Sequence, residues 1–386
     1  MRRWLKPIYD VALNLLRHKH MVRDRKAIID LIEKKKGDKH LIIFAPSLDW
    51  NVQLFQRPQQ LAMALARQGL LVLYLQPKPD HSLPPFQEIK PNLFLGNVFV
   101  PACDVLDSPT VYFLTWNCGY LSSFRSPSLI YDVVDDIKVF YADQKLITKY
   151  HYQMLKDAKW VLVTAHKLLE EVKQERADAV YCPNGVDYEH FQLPKSGSSQ
   201  QIPPDLSEIV AQRGPVIGYY GALAHWFDYE LLKKLAIMRP NFSFVLIGPD
   251  YDGSIKLAGI DKFRNIYWLG VKPYYDLPNY LKCFDVAMIP FQLNDITHAT
   301  SPLKLFEYMA GGKPTVVTPM RESMGYEGVL VGRDLEDFAS KLDEALKLAH
   351  DPIFHNILER VARENTWDAR ASQILVELKK HGESKT

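Results

Sequence analysis

At 386 residues the chain is long enough for two domains with separate cores, and its 47% hydrophobic and 24% charged residues are ordinary for a globular protein. A formal net charge of +2 gives no basis for nucleic acid as the main partner. Four scattered cysteines, Cys103, Cys118, Cys182 and Cys283, form no C-x-x-C pair, which argues against a disulfide framework or zinc site and for a reducing cytosol; no run reaches transmembrane length and no signal-peptide pattern opens the chain.

Residues 1–38 read as a basic amphipathic helix. Residues 1–36 hold eleven Lys/Arg against four Asp/Glu, a difference of +7, so the rest of the chain is slightly acidic. Trp4, Leu5, Ile8, Val11, Ala12 and Leu15 mark an apolar stripe at helical spacing, and Pro7 is tolerated early in the helix. Such a helix either lies on an anionic membrane surface or packs on the body of the protein or a partner. His18 and His20 have no carboxylate or cysteine companions at metal spacing and are expected to face solvent.

From residue 40 strands and helices alternate. Leu41–Ala45 is a short apolar run ended by Pro46, the pattern of a buried parallel strand. Helical periodicity follows over 54–68, stopped by Gly69, then a strand at 70–75. Strands fit 110–115, 129–134, 160–164 and 179–182, and helices 142–157 and 166–175. Residues 39–191 thus form a doubly wound α/β domain. Residues 192–213, with Ser196-Gly197-Ser198-Ser199 at their centre, read as a surface linker. The alternation restarts over 214–365, with strands at 215–220, 242–247, 265–269, 285–289, 314–317 and near 328–331, and helices at 227–238, 276–282 and beyond 334. Two such halves predict a cleft where the carboxyl ends of both sheets meet. Asp250-Tyr251-Asp252 matches a bare D-x-D pattern after a strand and a Gly-Pro turn; a loop of solvated acids outweighs a metal site there.

The segment Ser301–Ala310 carries the clearest chemistry. Ser301 is expected as N-cap with Pro302 in the first helical position; Leu303, Phe306 and Ala310 share a face, and Gly311-Gly312 ends the helix before the Val316-Val317 strand. Lys304 and Glu307, three apart, leave the same side near the N-terminus. Free N–H groups, the helix dipole and Lys304 suit a diphosphate, and Glu307 can accept hydrogen bonds from sugar hydroxyls. The plain alternative is an ordinary amphipathic helix with a surface Lys–Glu pair.

In order and spacing, several segments resemble GT-B glycosyltransferases of the GT4 type over about residues 40–375. They are Pro183-Asn184-Gly185-Val186-Asp187 with Phe191; Ile217-Gly218-Tyr219-Tyr220-Gly221-Ala222-Leu223; Phe244–Gly248; Leu269-Gly270; Leu277-Pro278; Asp285–Pro290; and the Ser301–Ala310 helix. Trp367-Asp368 fits the terminal helix, 366–386, that crosses back to the first domain in that family. Arg57-Pro58-Gln59-Gln60-Leu61 and Tyr131–Asp136 look like transferases of exopolysaccharide and teichuronic-acid clusters. The resemblance implies a GT-B fold, two Rossmann-like domains facing across a cleft. It implies a cytoplasmic enzyme of bacterial surface-polysaccharide synthesis, on the inner membrane face if the N-terminal helix binds lipid. Sugar would pass from a UDP-, GDP- or dTDP-linked donor to a glycan or lipid-linked acceptor, with retention and without metal or other cofactor.

By the same resemblance the donor contacts are Gly221, His225, the Gly270-Val271-Lys272 loop at the base, the helix start at Thr300, Ser301, Lys304 and Leu305, and Glu307 at the ribose. Lys304 would stabilise the leaving diphosphate. Asp135 and Asp136, where the family often has a histidine, would orient the acceptor or balance ring charge, unless one of them caps the next helix. Asp49, Trp50 and Arg57 are acceptor-side candidates; for Trp50 the alternative is packing. The chain departs from the family where a glutamate is common eight residues before Glu307, here Ala299, and in the Ala224–Asp228 segment, where His225 replaces an Arg and Lys pair. The glycine pair of the first strand–helix loop is absent from Pro46–Val52. Two other readings stay open: a GT-B nucleotide-sugar epimerase, and a catalytically weak scaffold of a glycan-assembly complex.

Overall fold

The computed structural model describes residues 2–140, 143–192 and 202–380, and side chains among residues 2–16 fall outside that description. The Trp4–Leu15 stripe and the Ser196–Ser199 centre of the expected linker therefore lie outside the described residues. The chain divides into two units. The first comprises Met1–Thr164, Leu168–Cys182 and Ala371–Thr386; the second comprises Ala165–Lys167 and Pro183–Arg370.

In the first unit, β1 (Leu41–Phe44), β2 (Leu71–Leu75), β3 (Phe86–Lys90), β4 (Leu93–Gly96), β5 (Thr110–Leu114), β6 (Ser128–Val133), β7 (Trp160–Val163) and β8 (Val180–Tyr181) form one sheet. Their order is β3-β4-β2-β1-β5-β6-β7-β8, parallel except for the β3–β4 pair. Strands β1, β2, β5 and β7 are buried along their whole length, as expected of parallel strands covered on both faces. The β3–β4 hairpin was not among the expected strands. It follows a proline-rich stretch, its first strand is half-exposed with charged residues, and its turn places Asn92 at φ 65°. The helix Arg2–Lys35, about 50 Å long at 1.5 Å per residue, joins this unit through its second half. Ile28 is fully buried, Asp24 accepts from the Phe99 N–H at 2.9 Å, and Arg25 pairs with Asp104. His20 stacks on His81 at 4.4 Å rather than facing solvent alone.

In the second unit, β9 (Val216–Tyr220), β10 (Ser243–Ile247), β11 (Ile266–Trp268), β12 (Val286–Ile289), β13 (Thr315–Val317) and β14 (Val329–Val331) form an all-parallel sheet ordered β11-β10-β9-β12-β13-β14. The order reverses between β9 and β12, and ligands of open parallel sheets bind outside the carboxyl ends at such a reversal. Two glycines let neighbouring segments come close there: a Cβ on Gly248, after β10, would lie 1.8 Å from the Gly221 carbonyl oxygen, and one on Gly218, within β9, would lie 2.1 Å from Phe284. The stretch after residue 201, expected as linker, forms a turn at Pro204–Leu206 and a helix at Ser207–Ala211, with Leu206 and Ile209 buried on this unit. Two apolar anchors at this spacing outweigh the loop-forming composition around them.

Candidate active site

The helix Leu303–Ala310 lies between β12 and β13 in sequence and starts near the β9/β12 reversal. Leu305, Phe306, Tyr308 and Met309 are fully buried and fix its orientation. It begins two residues after Ser301, which does not cap it. The Ser301 hydroxyl instead accepts from the Asn184 N–H at 3.1 Å, and the Asn184 amide donates to the Ser301 carbonyl at 3.0 Å. The N–H groups of Leu303 and Lys304, in the first turn, have no intrahelical acceptor. Thr300 turns its hydroxyl to the Ile296 carbonyl, and Ala299 is buried, so no carboxylate stands at that position.

Lys304 and Glu307 are brought together: the ammonium is 3.3 Å from Glu307 Oε2 and 5.2 Å from the centre of the Tyr220 ring. Glu307 is 1% exposed. Burial pushes its carboxyl up, while Lys304 and the Tyr220 hydroxyl pull it back. Gly221, at φ 151°, leaves the Lys304 stem open; a Cβ there would sit 3.6 Å from Lys304 Cε and 2.6 Å from the Tyr219 hydroxyl. A cation beside a glycine turn and an open helix N-terminus is an arrangement that can receive an anion.

The other donor-side candidates are differently placed. His225 is exposed, and its N–H and Nδ1 both reach Asp252 Oδ2 at 2.9 Å. Against the upward push of burial, hydrogen bonds from Ser254 and His225 hold the Asp252 carboxyl well below the usual range. The second acid of the D-x-D pattern is thus committed to a histidine. Among the described residues no three His, Cys, Asp or Glu side chains are grouped as a metal would need. Gly270, at φ 67°, accepts from the Gly248 N–H through its carbonyl, which holds the 270–272 loop against the end of β10. Val271 is half-buried. Lys272 points to Asp205 at 2.6 Å, where the Tyr280 hydroxyl also donates, so its charge serves the turn at 204–206 and its backbone is what the loop can offer a ligand.

In the first unit, Arg57 is in the core rather than on a ligand-facing loop. Its Nε and Nη2 donate to the two oxygens of Asp132 at 2.6 and 3.1 Å, and the Tyr112 hydroxyl donates to Asp132 as well. The acceptor-side expectation for Arg57 is replaced by a structural one, since a guanidinium this deeply buried needs its carboxylate. Trp50 packs edge-on against Phe55 and Tyr74 at 5.3 and 5.2 Å, and Asp49 is exposed at the same loop. Asp136 caps the Ile137–Val139 turn through the Lys138 N–H. Asp135 is half-buried at the carboxyl edge of β6, and burial and then the Asp136 charge push its carboxyl up to about 7. His151, which sequence reasoning missed, lies near Asp136, bonds the Tyr131 hydroxyl at 2.7 Å, and is pushed down by burial to about 4. Its only sequence signal is a helix position. Tyr220 and Asn184 were likewise legible only as members of the family segments.

The chain has the GT-B fold. It aligns with HepE of Anabaena solved with UDP-glucose at a TM-score of 0.65 and 16% identity, covering 88% of this chain and 99% of that one. Sucrose-phosphate synthase from Thermosynechococcus elongatus aligns at 0.64 and 15%, covering 90% and 100%. Residues 214–348, within the second unit, match the family model described as glycosyl transferases group 1. Over 242 residues the chain is 25% identical to a protein of Bacillus subtilis (strain 168) named as a teichuronic acid biosynthesis glycosyltransferase, TuaH; the match spans 60% of this chain and 59% of TuaH.

Proposed function

We propose that the protein is a glycosyltransferase that takes a sugar from a nucleotide-diphosphate donor, retaining its anomeric configuration without a metal, in bacterial surface-polysaccharide synthesis. The observation that carries this reading is the Lys304–Glu307 pair on a helix whose first N–H groups have no acceptor, beside the Gly221 loop. As the anomeric carbon–oxygen bond to phosphate breaks, charge builds on the diphosphate, and Lys304 and those N–H groups meet it; Glu307 accepts from ribose hydroxyls. The acceptor oxygen forms the new bond and its proton passes to the departing phosphate. Asp135, ionised above about pH 7, orients that hydroxyl or balances ring charge. The name of TuaH supports an acceptor that is a glycan or lipid-linked glycan, and the ligand of HepE supports a UDP-sugar as the first donor to try.

For the basic helix we propose an anionic membrane surface as partner. Its excess of positive charge and the exposure of Arg17, His18 and Lys19 support this. Among the described residues no helix is long and apolar enough to cross a membrane. Removing residues 2–16 alone, which leaves Asp24 and Ile28 in place, is expected to abolish flotation with phosphatidylglycerol vesicles; unchanged flotation rejects this role.

The test of the donor reading is calorimetry of the full chain with UDP, GDP, dTDP and CDP, without metal and then with magnesium. Metal-free binding of one of them supports it, and no binding to any rejects it.

A further inference from the structure

Tyr220 is fully buried at the carboxyl end of β9, next to Gly221, and three features tie it to the donor site. The Lys304 ammonium lies over its ring at 5.2 Å. Its hydroxyl is buried beside the Glu307 carboxylate, helps to hold that carboxylate charged, and has no other hydrogen-bond partner among the described residues. Its backbone is pinned on both sides by one group: the Tyr308 hydroxyl accepts from the Tyr220 N–H at 2.9 Å and donates to the Tyr220 carbonyl at 3.3 Å. Phe191 stacks parallel to the ring at 6.3 Å, and Tyr308 meets it edge-on at 4.8 Å. A buried ring held this firmly is a fixed platform.

We propose that Tyr220 is a positioning residue of the donor site, seating Lys304 for the diphosphate through its ring and supporting Glu307 for the ribose through its hydroxyl. The inference rests on the nucleotide-diphosphate reading above. Without ligand, Glu307 and the Tyr220 ring share the ammonium. When a diphosphate draws Lys304 away from Glu307, the carboxylate stays buried and needs other donors. The ribose hydroxyls supply some of them, and the Tyr220 hydroxyl is the protein's own. The ring keeps the ammonium from swinging into solvent, because the face of an aromatic ring attracts a cation and a four-carbon side chain otherwise has many rotamers to lose. The two halves of Tyr220 thus serve the two halves of the ligand.

The test is calorimetry of UDP and of uridine with the full chain, arranged as two double-mutant cycles. Tyr220→Leu removes the ring and is expected to weaken UDP about ten-fold through loss of the cation seat. In a Lys304→Ala background the same change should cost UDP no more than the about three-fold of the lost hydroxyl. Tyr220→Phe keeps the ring and so should keep the preference for UDP over uridine. It should weaken uridine about three-fold through the lost hydroxyl, an effect that disappears in a Glu307→Gln background. Additive cycles, with both Tyr220 variants equally harmful whatever stands at 304 or 307, overturn the inference and make Tyr220 a packing residue. If the leucine variant does not fold, the phenylalanine cycle decides by itself, because it changes no volume beyond one hydroxyl. Should the parent protein bind neither UDP nor any other nucleoside diphosphate, the donor reading fails first and this inference falls with it.

Discussion

Each unit holds a buried acid–base pair, Arg57–Asp132 in the first and Lys304–Glu307 in the second, and these two are built for different ends. Arg57 and Asp132 meet fork to carboxylate with two short contacts, both side chains nearly sealed from water, and Tyr112 adds a third bond. Lys304 and Glu307 make one longer contact, and the lysine is 19% exposed while the glutamate is 2% exposed. A bidentate arginine pair is rigid and leaves the carboxylate little to offer a ligand. A point charge on a flexible stem, answered by a single oxygen, can be drawn off by a stronger anion. Of two conspicuous charge pairs, the looser one is therefore where binding is expected, and the tighter one is framework.

The sharpest way to break that comparison is at its tight end. Arg57→Ala is expected to destabilise the fold by about 3–5 kcal/mol, since it strands a buried carboxylate; a denaturant-unfolding midpoint measures this, and a loss below about 1 kcal/mol would remove the framework role. Lys304→Ala should do the reverse, weakening UDP by roughly 10–100-fold, the worth of a charged hydrogen bond to phosphate, while uridine binding changes little. Equal losses for both ligands would take Lys304 away from the phosphates.

Asp135 sharpens the contrast, because among the described residues it is an acid with no ion-pair partner. Its folded pKa of about 7 lies above the ~3.9 of an unfolded aspartate. The folded state therefore holds this proton more tightly, and stability falls as pH rises through the window from about 4 to 7. Asp135→Asn is expected to flatten that fall in unfolding midpoints taken at pH 4.5 and 8. It should also remove a limb near pH 7 from the kcat/KM profile, if the ionised form serves the acceptor. A variant with the parent's pH dependence in both measurements would show that Asp135 neither stores this proton nor uses it. The smallest effect belongs to Asp136→Ala, which removes a turn cap worth about 1 kcal/mol and should leave nucleotide affinity unchanged in the same calorimetric assay.

The alternation of strand and helix was legible because parallel strands buried on both faces read as short apolar runs. Leu41–Phe44 and Val286–Ile289 were placed within a residue or two. The β3–β4 hairpin was not legible, since Glu88 and Lys90 on a half-exposed strand carry no such signal. In the site, Lys304 and Glu307 could be paired by helical spacing alone. The placement of Lys272 on Asp205, 67 residues away in sequence, could not, because both belong to loops whose approach depends on how the sheet folds.

By itself the sequence determined two doubly wound sheets, the helix that carries Lys304 and Glu307, and the glycines that let its neighbouring loops come close. These are local properties: burial periodicity, helical spacing and backbone freedom. The tertiary structure decided which charges are spent and which are left available. Arg57 and Lys272 look like ligand-binding cations in the chain and are answered by Asp132 and Asp205 in the fold. Tyr220 looks like one more apolar strand residue and lies under Lys304. The energy of a buried charge depends on what lies within a few ångströms of it, and that distance is set by the packing of segments far apart in the chain.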